Sequence, residues 1–204
     1  MKLSKGWIVA IVIVVLVIIL FSWGSGVYNK LVSKEEAVNT QWANVENVYQ
    51  RRADLIPNLV NTVKGVANFE QSTLTAVIEA RAKATSVNIN PKNLDEGAIQ
   101  KFQQAQDGLS SALGRLMVVV EKYPELKATQ NFSELQAQLE GTENRISVER
   151  KNFNESAQGY NTYLRSFPAN IFAGLYGFQK KGYFQATEGA EKPPQVDFGT
   201  EKKN

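Results

Sequence analysis

The sequence predicts an all-α protein: an N-terminal transmembrane helix followed by an elongated antiparallel helical bundle of three to four long helices, the first of them kinked near Pro57. Three observations carry this prediction. Ile8 to Phe21 is an unbroken apolar run, and no charged residue stands between Lys5 and Lys30. Beyond it, apolar residues recur in steps of three and four along three successive segments, the spacing of helices that each bury one stripe. Proline and asparagine breaks fall between those segments, where turns are expected.

The first element is an anchor over residues 7–27, preceded by a short N-terminal segment, residues 1–6. At 1.5 Å per helical residue, Trp7 to Trp23 covers roughly 25 Å, near the ~30 Å of a bilayer's hydrocarbon core. The two indoles fall where interfacial aromatic rings are favoured. A cleaved signal peptide is the competing reading, since Met-Lys-Leu-Ser-Lys is an acceptable basic leader. Small residues at Ser22, Gly24, Ser25 and Gly26 form no A-x-A pattern, so the run reads as an uncleaved anchor. Lys2, Lys5 and the terminal amine favour an inside N-terminus, with Lys30 and Lys34 weakening the bias. The expectation is a single-pass cell-membrane protein with its bundle outside the cytoplasm.

Residues 28–185 read as the bundle domain. Its first segment, about Asn29 to Thr85, places Val38, Trp42, Val45, Tyr49, Ile56, Leu59, Val63 and Val66 on one seam, with Arg52 among them. Straight, it would be near 85 Å long, so it should bend or divide. Pro57 is the obvious point, because a proline inside a helix lacks one donor and clashes with the carbonyl four residues back. Gly65 is a second weak point.

The second segment carries Ile99, Phe102, Gln106, Leu109, Leu113, Leu116, Val120 and Tyr123, with Pro124 as its stop. Asn90-Pro91 makes the preceding loop, and Asn93 or Asp95 is the N-cap. The third carries Phe132, Leu135, Leu139, Thr142, Ile146, Glu149, Phe153, Ser156, Tyr160, Tyr163 and Phe167, until Pro168 breaks it. Ser133 with Gln136 offers a capping box at its start. Connections this short favour antiparallel neighbours. Ile171 to Phe178 reads as a short, glycine-broken helix on the bundle end or against lipid. From Ala186 the chain becomes rich in Gly, Pro and charge. Residues 186–204 are therefore expected to be a flexible or extended tail, with Val196 and Phe198 able to dock as an extended peptide.

Composition removes much of enzymology. The 204 residues include no cysteine and no histidine, which excludes disulfides, thiolate sites, Ser-His and Cys-His pairs and most zinc centres. Without Lys2 and Lys5 the 23 basic residues fall to 21 against 20 acidic ones, so no strong field for nucleic acid exists outside the leader. No cofactor, metal or small-molecule substrate is expected.

What polar chemistry remains gathers near Pro57. Arg51 to Asp54 and Asp54 to Asn58 are helical neighbours, and Arg52 and Glu149 place opposite charges on two seams. Those two either meet across the bundle or each reach water at the rim, the commoner arrangement for long side chains. If paired, they fix helix register rather than perform catalysis. The carboxylates Glu35, Glu36, Glu46, Asp54, Glu70, Glu79, Glu121, Glu143 and Glu149 read as solvated faces rather than an acid/base dyad. Trp42, Tyr49, Phe102, Phe153, Tyr160 and Phe167 read as core. The candidate interaction or structural cluster is Arg51, Arg52, Asp54, Pro57, Asn58 and Glu149.

The motifs themselves resemble a known family. Tyr28-Asn29, Glu36-x-Val38-x-x-x-Trp42-Ala43-x-Val45-Glu46 and Tyr49-Gln50-Arg51-Arg52-Ala53-Asp54-Leu55-Ile56-Pro57-Asn58-Leu59-Val60 are similar to the LemA family of bacterial envelope proteins. So are Val63-Lys64-Gly65, Ala80-Arg81-Ala82, Thr142-Glu143-Asn144-Arg145-Ile146, Asn152-Phe153-Asn154, Tyr160-Asn161, Phe167-Pro168, Tyr183-Phe184 and Pro194-x-Val196-x-Phe198. The resemblance spans nearly the whole chain in order. It implies one N-terminal membrane helix and an elongated antiparallel bundle, and no assigned biochemical activity. Phe69-Glu70 departs from many members, where a histidine often precedes the glutamate, and that removes any metal or acid/base role resting on it.

The function expected is a non-enzymatic scaffold or protein-interaction module for a membrane-associated complex. Its partners would be the membrane, through residues 7–27, and other envelope proteins, with a homo-oligomer also open. The alternative is a membrane-anchored hydrolase or sensor with a polar site around Arg51, Arg52, Asp54 and Asn58. A sensor is hampered by the six residues that precede the apolar run.

Overall fold

A computed structural model of the chain describes residues 5–65 and 69–186. Within them the fold is all-α, an apolar leader helix continuing into a helical bundle. Helix α1 (Lys5–Lys64) is followed by α2 (Gln71–Ser86), a 3-10 turn (Pro91–Asn93), α3 (Glu96–Val120), a single turn α4 (Pro124–Lys127), α5 (Gln130–Arg165) and α6 (Ala169–Tyr176). Val66 and the tail residues from 187 onward, including Val196 and Phe198, lie outside the described residues.

The leader and the first bundle helix are one element. Helix α1 runs 60 residues without interruption, about 90 Å at the helical rise. In its first third, Ile11 to Phe21 are 48–77% exposed, an apolar surface on every side that only lipid would solvate. From Val27 onward one stripe is buried: Leu31, Val38, Trp42, Val45, Tyr49, Ile56, Leu59 and Val63.

The division of the long first segment falls at Gly65, not at Pro57. The helix passes through Pro57, and the carbonyl that loses its partner there, that of Ala53, accepts a hydrogen bond from Arg81 Nε of α2 at 2.7 Å. A tertiary donor thus replaces the missing amide. Replacing Arg81 with methionine, which keeps most of the stem, is expected to cost about 1–2 kcal/mol, the lower part of the range for an acceptor left unpaired, since this one is only partly buried. Pro57→Ala would restore a helical donor, so adding Arg81→Met to it should cost distinctly less. Equal losses in the two backgrounds, by denaturant unfolding, would refute this account.

The caps follow local chemistry. Asp95 starts α3 by accepting the amide of Ala98 at 2.8 Å, one of the two expected caps. Helix α5 is capped by Thr129, which accepts from Phe132 N at 3.4 Å, and not by Ser133 with Gln136. Pro124 opens α4 rather than closing α3, which stops four residues earlier. Gly177 ends α6 with φ of 75°, a conformation glycine adopts without a Cβ penalty.

Helix α5 packs antiparallel on α1, in a register that three contacts define. Lys34 lies over Tyr163, Trp42 meets Phe153, and Arg52 meets Glu143; each advance along α1 is matched by a retreat along α5. Helices α2 and α3 pack on each other and complete the bundle. The apolar interior is divided in two. A leader-proximal core joins Trp42 and Tyr49 to Ile99, Phe102, Ile146 and Phe153. A distal core joins Ile56, Leu59 and Val63 to Leu74, Leu109, Leu116, Phe132 and Leu139. Phe167, expected inside, is instead 78% exposed, because the chain turns at Pro168 before that seam position can face a neighbour.

Candidate functional site

Between the two cores lies one polar layer. On α1, Arg52 falls between Tyr49 of the proximal core and Ile56 of the distal one. On α3, Gln106 falls between Phe102 and Leu109, and on α5, Glu143 falls between Leu139 and Ile146. Helical periodicity brings the three to one level, since each is one turn from apolar residues of both cores.

Arg52 is 2% exposed, and its guanidinium is fully occupied at the fork. Nη1 donates to Ser110 Oγ at 2.7 Å and to Glu143 Oε2 at 3.0 Å. Nη2 donates to Gln106 Oε1 at 2.8 Å and to the Gln106 carbonyl at 3.2 Å. The Tyr49 ring lies 5.0 Å from the guanidinium carbon, a cation–π arrangement that favours the charge. Gln106 passes the link on, donating from Nε2 to the carbonyl of Ala84 on α2 at 3.2 Å. One arginine thereby joins all four long helices. Its Nε is buried with no hydrogen-bond partner. The Glu143 side chain is 52% exposed, so the pair is buried on one side and open on the other.

The expected meeting of Arg52 with Glu149 is not made, and Arg52 does not reach the rim. Glu149 lies six residues further along α5 and takes a hydrogen bond from Asn152 Nδ2 at 3.2 Å. The register of α1 on α5 places Glu143 opposite Arg52. The other expected members stay apart. Arg51, Asp54, Pro57 and Asn58 are exposed, and Asp54 accepts from Gln50 Nε2 at 2.8 Å.

Two cavities flank the layer. One of about 230 Å³ is lined by Glu46, Tyr49, Phe102 and Gln106, and another of about 290 Å³ by Arg52, Met117, Leu139 and Glu143. Burial pushes the Glu46 carboxyl above its ordinary range, with the Trp42 indole acting in the opposite sense. Burial likewise raises the phenols of Tyr49 and Tyr160, so both stay protonated at neutral pH.

The Glu46 shift has a definite sign. A carboxyl that holds its proton more tightly when folded destabilises the fold once ionised, so this cost grows as pH rises through the folded value and is absent below the unfolded one. Glu46→Gln is therefore expected to raise the melting temperature more at about pH 7 than at about pH 4, around the ordinary carboxylate range. A gain that is constant or shrinks with pH would contradict it.

A second constellation closes the proximal core. After Gly177 the chain leaves helix and forms a strap whose backbone is gripped by side-chain amides. Asn161 Oδ1 accepts from Lys181 N at 2.9 Å while Nδ2 donates to its carbonyl at 2.8 Å. Asn154 does the same with Phe184, at 2.9 Å in both directions, and Gln103 with Gln185 at 3.0 and 3.1 Å. Gly182 donates to the Leu94 carbonyl at 2.7 Å and lies so close to α3 that a Cβ would stand 2.7 Å from Glu96 Cα. Lys181, 2% exposed, reaches Glu35 Oε1 on α1 at 2.7 Å. Phe184 fills the gap between helices, 6.1 Å from Trp42 and 5.5 Å from Phe153 by ring centroids.

Sequence reasoning missed Arg81, the Gln106–Ser110 face and the strap. A signal existed for each. Pro57 demands a donor for Ala53, Gln106 is an amide on an apolar seam, and Tyr183-Phe184 is an aromatic pair in an otherwise polar stretch.

A helical bundle carried on a leader long and apolar enough to cross a membrane, tied by one buried arginine layer, defines a membrane-associated helical protein. The LemA family model matches residues 41–198, and the chain belongs to the LemA family. Among relatives, it is 28% identical to magnetosome protein MamQ of Magnetospirillum gryphiswaldense over 83% of this chain and 70% of that one. It is also 28% identical to magnetosome protein MamQ 1 of Paramagnetospirillum magneticum, over 81% and 67%. Protein LemA of Metamycoplasma hominis is 22% identical over 78% and 69%.

Proposed function

We propose that the chain is a membrane-anchored, non-enzymatic scaffold or protein-interaction module, with residues 7–27 crossing the bilayer, the N-terminus in the cytoplasm and the bundle outside it. The observation that carries the reading is the saturation of Arg52: both fork nitrogens are engaged with Ser110, Glu143 and Gln106. A guanidinium occupied in this way holds helices and has no fork donor left for a substrate. The unbroken α1 supports it too, because a single helix from bilayer to bundle tip sets a surface at a defined height. That relatives are named as magnetosome proteins adds support for work within a larger assembly. The hydrolase alternative gains nothing from Asp54, which lies on the exposed face and is tied to Gln50.

The exposed face with Arg51, Asp54, Pro57 and Asn58 is the surface we assign to a partner. The test places a photocrosslinking side chain at Arg51, at Asn58 or at Lys151 in the full chain within its native membrane. Discrete protein adducts at Arg51 or Asn58, whether to another envelope protein or a second copy, are expected. No adduct at any position, with the chain still membrane-inserted, would end the scaffold reading. Loss of a deletion strain's complementation by Asp54→Asn, with folding and adducts intact, would revive the hydrolase.

A further inference from the structure

Helix α6 carries a second apolar surface, set beside the first. Ile171 and Leu175, four residues apart on α6, are 59% and 73% exposed and face away from the bundle, and Phe167, in the turn just before the helix, is 78% exposed. The opposite face is fastened. Ala169 and Ala173 are buried, and Phe172 lies on α1 at Gly24, where an added Cβ would stand 3.1 Å from its Cζ. The Phe172 ring also meets the Trp23 indole edge-on, with centroids 6.3 Å apart.

These contacts fix the height of α6 along α1. Trp23 closes the apolar run that begins at Trp7, roughly 25 Å earlier along an unbroken helix, so α6 abuts the bundle-side end of the membrane segment. No acidic or basic residue occurs from Ser166 to Gln179, while Arg165 and Lys180 bound that stretch and Lys30 stands nearby on α1 over Tyr163. An apolar stripe level with the end of a span, fringed by cations, matches the acyl-to-headgroup boundary of a leaflet with anionic lipids.

We propose that α6 is a second membrane element: it lies in the bundle-side leaflet against α1, with Phe167, Ile171 and Leu175 among the acyl chains. A lone helix crossing leaves the bundle free to tilt and rotate about it. A second contact at the same level fixes which faces of the bundle turn toward the bilayer. The proposal rests on residues 7–27 crossing the bilayer, which the Leu16→Cys label below tests separately, and not on the scaffold role.

The absence of native cysteine makes the test direct. The full chain carrying Ile171→Cys or Leu175→Cys is spin-labelled and reconstituted into phosphatidylcholine–phosphatidylglycerol vesicles. Collisions with oxygen, which concentrates in the bilayer, are compared with those of a water-soluble nickel chelate. Leu16→Cys serves as the membrane reference and Ser133→Cys, on the far end of α5, as the aqueous one. Labels at 171 and 175 are expected to behave like Leu16→Cys, favouring oxygen. Chelate-accessible labels resembling Ser133→Cys would overturn the proposal, as would labels shielded from both reagents, which would mean that protein covers the stripe. Both replaced side chains are exposed, and an unchanged helical circular dichroism spectrum confirms that the fold persists.

Discussion

Arg52→Ala is expected to cost about 3 kcal/mol of unfolding free energy, the lower end of the range for removing one member of a buried charged network. The loss is not that of the Glu143 ion pair alone. Without the guanidinium, the side-chain oxygen of Gln106 loses its donor between two apolar cores, while its main-chain oxygen keeps the Ser110 hydroxyl, and a cavity opens beside Tyr49 and Ile56. Each buried polar atom left unpaired costs about 1–3 kcal/mol. Glu143→Ala should cost less, about 1 kcal/mol, because that side chain is half exposed and water can reach the gap.

Arg52→Met separates packing from charge: it fills the volume without an ion to solvate, and apolar replacements of buried ion pairs are often tolerated. Its cost should fall between the other two. Denaturant unfolding of the full chain in detergent, followed by helical circular dichroism, checks the series. An Arg52→Ala loss no larger than that of Glu143→Ala would show that the layer does not hold the bundle.

Phe184→Ala should produce the second large effect, about 3 kcal/mol, within the range for truncating a buried phenylalanine. The ring is 5% exposed and packs against Trp42, Phe102 and Phe153, with the Arg150 guanidinium over its face at 4.9 Å. The consequence is local, because side-chain amides of Asn161, Asn154 and Gln103, and no helical ladder, hold the strap to the bundle. Amide exchange at Lys181, Gly182 and Phe184 should accelerate by about a hundredfold, the equivalent of roughly 3 kcal/mol at tenfold per 1.4 kcal/mol. Amides of α1 and α5 in the distal core should change little. Uniform acceleration across the bundle would show instead that strap and bundle open as one unit.

The elements were legible because periodicity is a local property. Val38, Trp42, Val45 and Tyr49 announce a buried stripe wherever the partner lies, and the charge-free stretch before Lys30 announces an apolar leader by length alone. Asp95 could be proposed as a cap because the cap and its amide are three residues apart. The continuation of α1 through Pro57 was not legible, for the complementary reason. A proline weakens a helix by removing one hydrogen bond, but Arg81, 28 residues beyond the freed carbonyl of Ala53, supplies a replacement that no local window contains. Arg52 suffered the same fate. Its place on a seam was readable, whereas its burial and the choice of Glu143 over Glu149 require knowing how far α5 is displaced along α1.

By itself, then, the sequence determined a helical chain with a membrane-compatible leader, the stripes that its helices bury and the presence of charged residues on two of those stripes. Only the tertiary structure decided their partners. Stripes spaced by three and four satisfy hydrophobic burial almost equally well in several registers, one or two turns apart. The polar layer of Arg52, Gln106 and Glu143, and the strap gripped by Asn154, Asn161 and Gln103, discriminate among them. They do so through hydrogen bonds whose geometry tolerates no such shift, and which residue meets which is settled across space rather than along the chain.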